Sequence, residues 1–542
     1  MARKLFSYNR FLGLDTVTSP SNMSERFLAE LDGAYIDFRG QIIKGPGFSH
    51  QSFTDYATNV TSQDNTDTHY NIKHYGPDDY VRYTYQTSPE VVNITNKAGT
   101  GVSSAFASAG GVPITPISLV NFDQKQFAFM AGHEPYLYDG TAFTIVSSFG
   151  TTNLSSLASY PKGGHAVNIL NRLVVAGIPG RETEIHISEQ DSFLNWRTNT
   201  SSGTTPNATD GAIIDVKNQF TSKDVIKGLA VLEGDKLVVF GQNETLVYLA
   251  DTNINLWEIA RDFRVPIGLF GRNTAINVGT DVFFCSRFGI HSLKRAASGL
   301  TLETMTFTRE IEDQFRASVE GFNTSSPFSE PQAVWDGEIG QYRVFFPFLT
   351  GGGTLTSTQY IFTYDPEAGR SGHKSFAKHT GGPSLTVKDT NIICASFYAR
   401  EDNGFDTNSL LVGGARGYGF GRDSTVDSHM HVRTPLLSQG SPDTFKHYKR
   451  LIIRAVGTAD FNVKIYDSET NLLQTTTVRP ESDGFGTTTG ISGDNTRPID
   501  LPIPHRSKSI SIEFVCTGVG NTNISGIGKL KILDFALVVD TK

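Results

Sequence analysis

The residues with the best claim to chemistry are Asp427-Ser-His429-Met-His431. On a strand, positions i, i+2 and i+4 share one face, so Asp427, His429 and His431 could converge on a metal ion. No fourth ligand is indicated and the spacing is common, so a solvated strand face is the preferred reading. Asp67-Thr-His69 and His447-Tyr448 carry less. Gly413-Gly-Ala-Arg-Gly417-Tyr-Gly419-Phe-Gly421 is glycine-rich enough for a phosphate loop. It lacks the closing Lys-Ser/Thr, and no amphipathic helix follows to offer its N-terminus. A loop or bulge between sheets fits better. Gly490-Ile-Ser492-Gly493 lacks the strand–turn–helix context of a hydrolase elbow. Asp64-Asn-Thr-Asp67 lacks the long loop and closing Glu of a calcium hand. No nucleophile, metal or phosphate-binding constellation survives this weighing. The expectation is a protein with no enzymatic activity, no cofactor and no metal.

The elements that would position such residues are strands. Of 542 residues, 38% are hydrophobic and only 19% charged, with 53 Gly, 37 Phe and 19 Tyr, a balance that favours strands and tight turns over long helices. No stretch approaches the roughly 20 apolar residues of a membrane helix. The N-terminus has a positive start but no apolar h-region, which predicts a chain made in a cytoplasm. Cys285, Cys394 and Cys516 are odd in number and sit in apolar runs, and so are expected as buried free thiols. A net charge of −8 argues against a protein that grips DNA, though not against one that DNA slides past.

Short apolar runs separated by acidic-Gly or Asn turns recur through the middle of the chain. Leu229–Leu232, Lys236–Phe240 and Thr245–Leu249 form one such meander, broken at Glu233-Gly234. Others fall at 126–146, 274–293, 332–364 and 392–412. Recurrence every few tens of residues predicts blades of a β-propeller, with an array of sandwiches as the alternative. Weakly hydrophobic stretches at 98–116, 198–211 and 348–358 read as long loops. Two short helices are predicted. One spans about Met23 to Asp32 behind a capping-box-like Asn22-x-x-Glu25, and the other about Arg309 to Val319, where Ile311, Phe315 and Val319 share a face. From about Pro442 the runs alternate as half-buried antiparallel strands do, which predicts a separate β-sandwich. The chain is thus expected to be all-β: residues 1–55 an N-terminal arm with a short helix, 56–440 a propeller with inserted loops, 441–542 an antiparallel sandwich.

Three blocks carry a family resemblance. The first is Phe11-Leu-Gly13-Leu14-Asp15, Ser19-Pro20, Leu31-Asp-Gly-Ala-Tyr35, Arg39-Gly40 and Lys44-Gly45-Pro46-Gly47-Phe48. The second is His165, Asn171-Arg172-Leu-Val-Val-Ala-Gly177, Glu184-Ile-His-Ile-Ser188 and Asn195-Trp196. The third is Ile267-Gly268 with Asp281-Val-Phe-Phe-Cys-Ser286-Arg287-Phe-Gly289-Ile290. In order and spacing they resemble the tail nozzle proteins (tail tubular protein B) of short-tailed bacteriophages. The usual Arg-Pro-Gly appears here as Lys44-Gly45-Pro46-Gly47, without the arginine. The resemblance implies a structural protein of the virion tail, assembled in the host cytoplasm. It implies a homo-oligomeric ring, usually of six copies, below the adaptor ring under the portal, in contact with other tail proteins and possibly tail fibres. Viral double-stranded DNA would pass through its lumen, and loops would close the channel until infection. Phe11, Gly13, Leu14, Asp15, Arg39, Lys44 and Pro46 are the docking candidates for a neighbour or the adaptor, because Phe11, Leu12 and Leu14 read as exposed apolar residues in a segment poor at forming its own core. The uncharged stretches near 98–116 and 198–211 are the candidates for the channel gate. The rival is a receptor- or carbohydrate-binding tail propeller, possibly glycan-degrading, which would need paired carboxylates about 5–10 Å apart over a cleft.

Overall fold

The computed structural model describes residues 2–37, 39–45, 47–50, 68–75, 79–87, 90–96, 101–105, 117–147, 160–196, 207–221, 223–260, 264–294, 308–320, 331–337, 339–349, 355–364, 374–380, 392–402, 405–414, 417–423, 429–478, 498–516 and 530–541. The chain is all-β, as composition predicts, and none of its sheets closes into a barrel among these residues.

Seven antiparallel units follow one another along the chain. Unit 1 comprises Thr68–Tyr75, Asp79–Thr87, Glu90–Asn96 and Gly101–Ala105. Unit 2 comprises Ser118–Phe122, Lys125–Phe129, Tyr136–Tyr138 and Phe143–Ile145. Unit 3 comprises His165–Ile169, Arg172–Ile178, Arg181–Ile187 and Ala212–Asp215. Unit 4 comprises Gly228–Leu232, Lys236–Phe240, Thr245–Leu249 and Glu258–Ile259. Unit 5 has three strands among the described residues, Ile276–Val278, Asp281–Ser286 and Gly289–Ser292. Unit 6 comprises Gln332–Asp336, Gln341–Leu349, Leu355–Tyr364 and Lys374–Thr380. Unit 7 comprises Ile392–Asp402, Phe405–Gly414 and Gly417–Asp423, completed at its outer edge by Gly47–His50 from the beginning of the chain.

Turn chemistry explains these hairpins. In the three-residue connection Glu233-Gly234-Asp235, Glu233 and Gly234 both have positive φ, 55° and 87°, a conformation that glycine takes at little steric cost. The first strand of each unit from 2 to 6 lies against the first strand of the next, and that of unit 7 lies against that of unit 1. Lys73 of unit 1 then donates to the Leu119 carbonyl of unit 2 at 2.7 Å, and Tyr75 donates to the Gln124 carbonyl. The units therefore form a closed circle of neighbours. Separate apolar clusters fill the gaps, such as Val81, Tyr83 and Ile94 against Ala128, Met130 and Tyr138 between units 1 and 2.

The second region packs two sheets face to face. One contains Lys446–Gly457, Leu530–Thr541 and Ile499–Ser507, together with Ala2–Tyr8, Ala34–Ile36 and Ile42–Lys44 from the beginning of the chain. The other orders Glu30–Asp32, Met430–Arg433, Ile510–Cys516, Phe461–Asp467 and Leu472–Val478. A single parallel pairing, Lys378 with Asp32, joins this second sheet to unit 6, giving nine strands in all. The core between the sheets is continuous, with the Phe514 and Phe535 rings 5.8 Å apart.

Several sequence expectations are corrected. Residues 23–32 form no helix but two short strands, Phe27–Leu28 and Glu30–Asp32. The local cap signal loses to tertiary pairing, because the Glu25 carboxylate accepts from the Gln439 amide and Leu28 and Leu31 are both buried. The 98–116 loop contains the strand Gly101–Ala105. Within the 348–358 stretch, Phe348 pairs with Thr356 and Leu349 with Leu355, so these residues are strand rather than loop. The glycine-rich 413–421 stretch is not a connector but a hairpin of unit 7, with Gly414 opposite Gly417. The other helix is present: a 3-10 turn, Arg309–Ile311, leads into α1, Glu312–Glu320, burying Ile311 and Phe315. Cys285 and Cys516 are buried free thiols.

Candidate functional site

The docking candidates do not form one exposed surface. Phe11 and Leu14 are 1% and 3% exposed, which corrects their reading as exposed apolar residues. Phe11 packs beside Phe535 at 5.9 Å, and its amide donates to the Gly40 carbonyl. Gly13 begins a two-residue strand that pairs in parallel with Phe27 and Leu28. Asp15 is a turn former, accepting from the amides of Val17 and Thr18 at 3.1 and 3.0 Å. Arg39 is exposed beside Asp37, whose Oδ1 accepts the Arg39 amide and whose other oxygen takes Lys531 Nζ at 2.9 Å. Lys44 is buried, and Pro46 lies outside the described residues. This segment is stitched into its own subunit at nearly every position considered.

His431 stands on the strand Met430–Arg433, and His429 immediately precedes it. Asp427, Asp64, Asp67 and Gly490–Gly493 lie outside the described residues, as do the side chain of His69 and positions 106–116 and 198–206 of the candidate gate loops. His447 is exposed on its strand. The histidines meet carboxylates from neighbouring strands. His429 Nε2 is 3.2 Å from Asp32, and His431 Nε2 lies 3.1 Å from both Glu30 and Glu513. Lys464 reaches Glu513 at 3.0 Å, and Arg433 reaches Glu30 at 3.7 Å and covers the Tyr466 ring. Contact with Glu513 raises the His431 pKa against the effect of burial. Burial would raise the Glu513 carboxyl, but His431, Tyr466 and Lys464 outweigh it and bring it down to about 2. With cations supplied by the protein itself, this seam is an ion-pair ladder, and no group of three or more ligands among the described residues could hold a metal.

The second and third blocks of the resemblance build locks. Arg172 is fully buried, and its guanidinium donates to the carbonyls of Ser188, Thr209, Asp210, Ala208 and Thr252 at 2.7–3.3 Å, tying unit 3 to the end of unit 4. The fork of guanidinium donors suits this work, which an ammonium could not do. Ser188 accepts from the Leu173 amide, and Trp196 is buried with its indole N–H on Phe193. In unit 5, Ser286 Oγ lies 2.7 Å from His291 Nε2 and accepts from the Phe288 amide. A Ser–His contact has the parts of a nucleophile and base, but both residues are buried inside their hairpin, where they shape the turn.

One cavity of about 190 Å³ opens where units 2 to 5 meet. His165 and Gly177 line it from unit 3, with Glu182 on the next strand, Lys227 before unit 4, and Gly271 and Arg272 before unit 5. Gly177 has φ +71°, and a Cβ there would come within 2.5 Å of the His165 ring. A Cβ on Gly164 would come within 2.9 Å of Arg272 Nη1. These two glycines leave room for the imidazole and the guanidinium. Burial foremost, then Arg272 and Lys227, hold the His165 pKa well below that of an ordinary imidazole, while a hydrogen bond to the Ile226 backbone opposes them. The Gly180 amide donates to Glu182 Oε1 and lowers that carboxyl. The sequence reading missed this group because its members come from four separated segments. Its only signal was the pairing of His165 with Gly177 inside the second block.

No protein-family model and no curated protein sequence matches the chain. Among solved structures, the extracellular domain of a hybrid two-component system of B. thetaiotaomicron aligns over 92% of this chain and 99% of its own, at 10% identity and a TM-score of 0.18. The insecticidal delta-endotoxin Cry8Ea1 of Bacillus thuringiensis aligns over 58% of this chain and 52% of its own, at 10% identity and a TM-score of 0.15. Likenesses this slight carry no argument about what the chain does.

Proposed function

We propose that this chain is a structural subunit of a short-tailed phage tail, a nozzle whose circle of seven meanders is a β-propeller. In this reading, identical copies form a ring, usually of six, that stacks below the adaptor and conducts double-stranded DNA. The observation that carries the reading is the work done by the resembling blocks. The first ties the beginning of the chain to its last strand, the second locks units 3 and 4 through Arg172, and the third shapes the hairpin of unit 5. Motifs spent on holding a rigid scaffold suit a load-bearing conduit, where stiffness is the function and the intervening loops make the adaptable contacts.

The test is electron microscopy of the purified chain mixed with the portal and adaptor proteins of the same phage. A closed ring stacked on the adaptor is the expected image. Monomers beside intact portal–adaptor complexes would overturn the reading. So would turnover of a host polysaccharide by the purified chain that is lost on replacing one acidic pair.

A further inference from the structure

We propose that two exposed turns on opposite faces of the circle are the halves of a head-to-tail contact between copies of this chain, in which Arg287-Phe288 of one copy seats on the 251–258 turn of the next. The inference rests on the ring reading for closure into a ring, and on the residues themselves for the contact. Arg287 and Phe288 form the tip of the hairpin between Asp281–Ser286 and Gly289–Ser292. Phe288 is 56% exposed, and Arg287 is exposed beside it and meets no carboxylate among the described residues. The tip is held from below. Ser286 Oγ accepts the Phe288 amide at 2.9 Å and lies 2.7 Å from Nε2 of the buried His291. An aromatic ring and a guanidinium displayed on a stiff turn are the residue types that anchor the centres of protein interfaces.

The 251–258 turn joins the last two strands of unit 4 and is complementary to that tip. Asn253 caps the 3-10 turn Ile254–Leu256, the Trp257 indole donates to the Asp251 carbonyl at 2.7 Å, and Arg172 holds the Thr252 carbonyl at 3.0 Å. On this fixed frame Leu256 is 60% exposed and Trp257 is half-buried, with Leu249 exposed opposite Glu258. Asp251 and Glu258 are exposed and meet no cation among the described residues. An apolar patch rimmed by two carboxylates thus faces solvent, matched in shape of chemistry and in charge by a phenyl ring beside a guanidinium.

The cavity where units 2 to 5 meet fixes which way the strands run. It gathers His165, Lys227 and Arg272, which open or precede the first strands of units 3, 4 and 5. It also gathers Ala131 and Gly177, at or just past the ends of the second strands of units 2 and 3. Turns between second and third strands therefore lie on the cavity face, and turns between third and fourth strands on the other. Arg287-Phe288 is on the first and 251–258 on the second, roughly 15 Å apart across a strand as long as Lys236–Phe240. One copy cannot close the contact on itself, and each offers one tip and one seat to two different neighbours. A contact of this heterologous kind builds rings or filaments, not isolated two-fold pairs.

Disulfide trapping of the full chain tests this, because a disulfide needs Cα atoms within about 7 Å and positions 256 and 288 can meet only between copies. The double variant Leu256→Cys/Phe288→Cys is oxidised alone and with the portal and adaptor, beside the parent and each single variant, and read on a denaturing gel. Covalent dimers and higher multimers from the double variant only are the expected result. In sedimentation, Arg287→Glu should weaken self-association about tenfold, the loss of one charge-assisted contact, and Glu258→Lys in the same chain should restore it. Phe288→Ala should weaken it at least as much, as loss of a central aromatic anchor does. These positions are exposed, so thermal melts should match the parent, and the cysteine pair decides if a variant fails to fold. Multimers from Phe288→Cys alone, equal to those of the double variant, would mean a two-fold contact and overturn the inference. A ring on the adaptor without the 256–288 disulfide would overturn it and leave the nozzle reading standing. Trapped multimers with no ring on the adaptor would keep the contact and overturn the nozzle reading. Neither ring nor disulfide would overturn both.

Discussion

The circle of meanders and the terminal sandwich are both antiparallel β-structure, yet they are held together in opposite ways. In the circle, each strand pairs chiefly with the next in sequence across a short turn, and the apolar surface from unit 1 to unit 5 is divided into separate clusters between neighbours, while units 5 and 6 also share the core of the sandwich. In the sandwich, Ala2–Tyr8 pairs with the last strand, Ala2 opposite Thr541, and one continuous core draws on both extremes of the chain. The first arrangement tolerates local damage because each unit shares its burden with two neighbours. The second depends on contacts between residues hundreds of positions apart, whose loop-closure entropy must be met at once.

That contrast sets a scale of effects. The largest is expected at the beginning of the chain. Deleting residues 1–20 removes the strand beside the last one and the Phe11 and Leu14 side chains, and should abolish the protease resistance of 446–478, 498–516 and 530–541. Phe11→Ala alone should cost about 3–5 kcal/mol in denaturant unfolding, the range for a buried aromatic truncated to alanine. A truncated chain with a wild-type melt would show that the sandwich closes without its first strand.

The next effect falls in the circle. Arg172→Met leaves the buried Ser188 and Asp210 carbonyls without their donor and should cost about 1–3 kcal/mol for each. Arg172→Lys should recover only part of this, because three donors on one nitrogen cannot span acceptors on units 3 and 4. Hydrogen exchange should localise the damage to units 3 and 4 and leave the sandwich protected. Spread of the damage to the sandwich would mean that the two regions unfold as one.

The smallest effect is the pH dependence of the ladder. His431 has a folded pKa above its unfolded value of about 6.5. Its contribution is therefore complete below about 6.5 and is lost as pH rises through the folded value. Glu513 has the opposite sign. Its contribution is present above its unfolded value of about 4.3 and is lost as pH falls toward 2. Together they place the strongest pairing between about pH 4.3 and 6.5. His431→Gln should flatten the loss of stability between pH 6 and 8 by less than about 1 kcal/mol, since the imidazole is partly exposed and screened. A variant whose pH profile overlays the parent would remove His431 from the ladder.

Much of the architecture was legible in the sequence. Glu233-Gly234 marked a hairpin that the structure places where expected, and Ile311, Phe315 and Val319 marked the helix. The failures were of one kind. Asn22-x-x-Glu25 is a sound local cap signal, but Glu25 is taken by Gln439, more than four hundred residues away. Phe11 and Leu14 read as exposed because the core that covers them is built from the other extreme of the chain. The cavity where units 2 to 5 meet was illegible because His165, Lys227 and Arg272 come together only when three units pack.

By itself the sequence determined strand, turn and period, because these depend on side-chain alternation and on residues that accept positive φ within a few positions. Tertiary structure alone decided that seven units form a circle, that Gly47–His50 completes the unit beginning at Ile392, and that the first strand lies beside the last. Pairing between distant strands is specified by exposed edges and complementary buried faces, and those exist only once the units have formed.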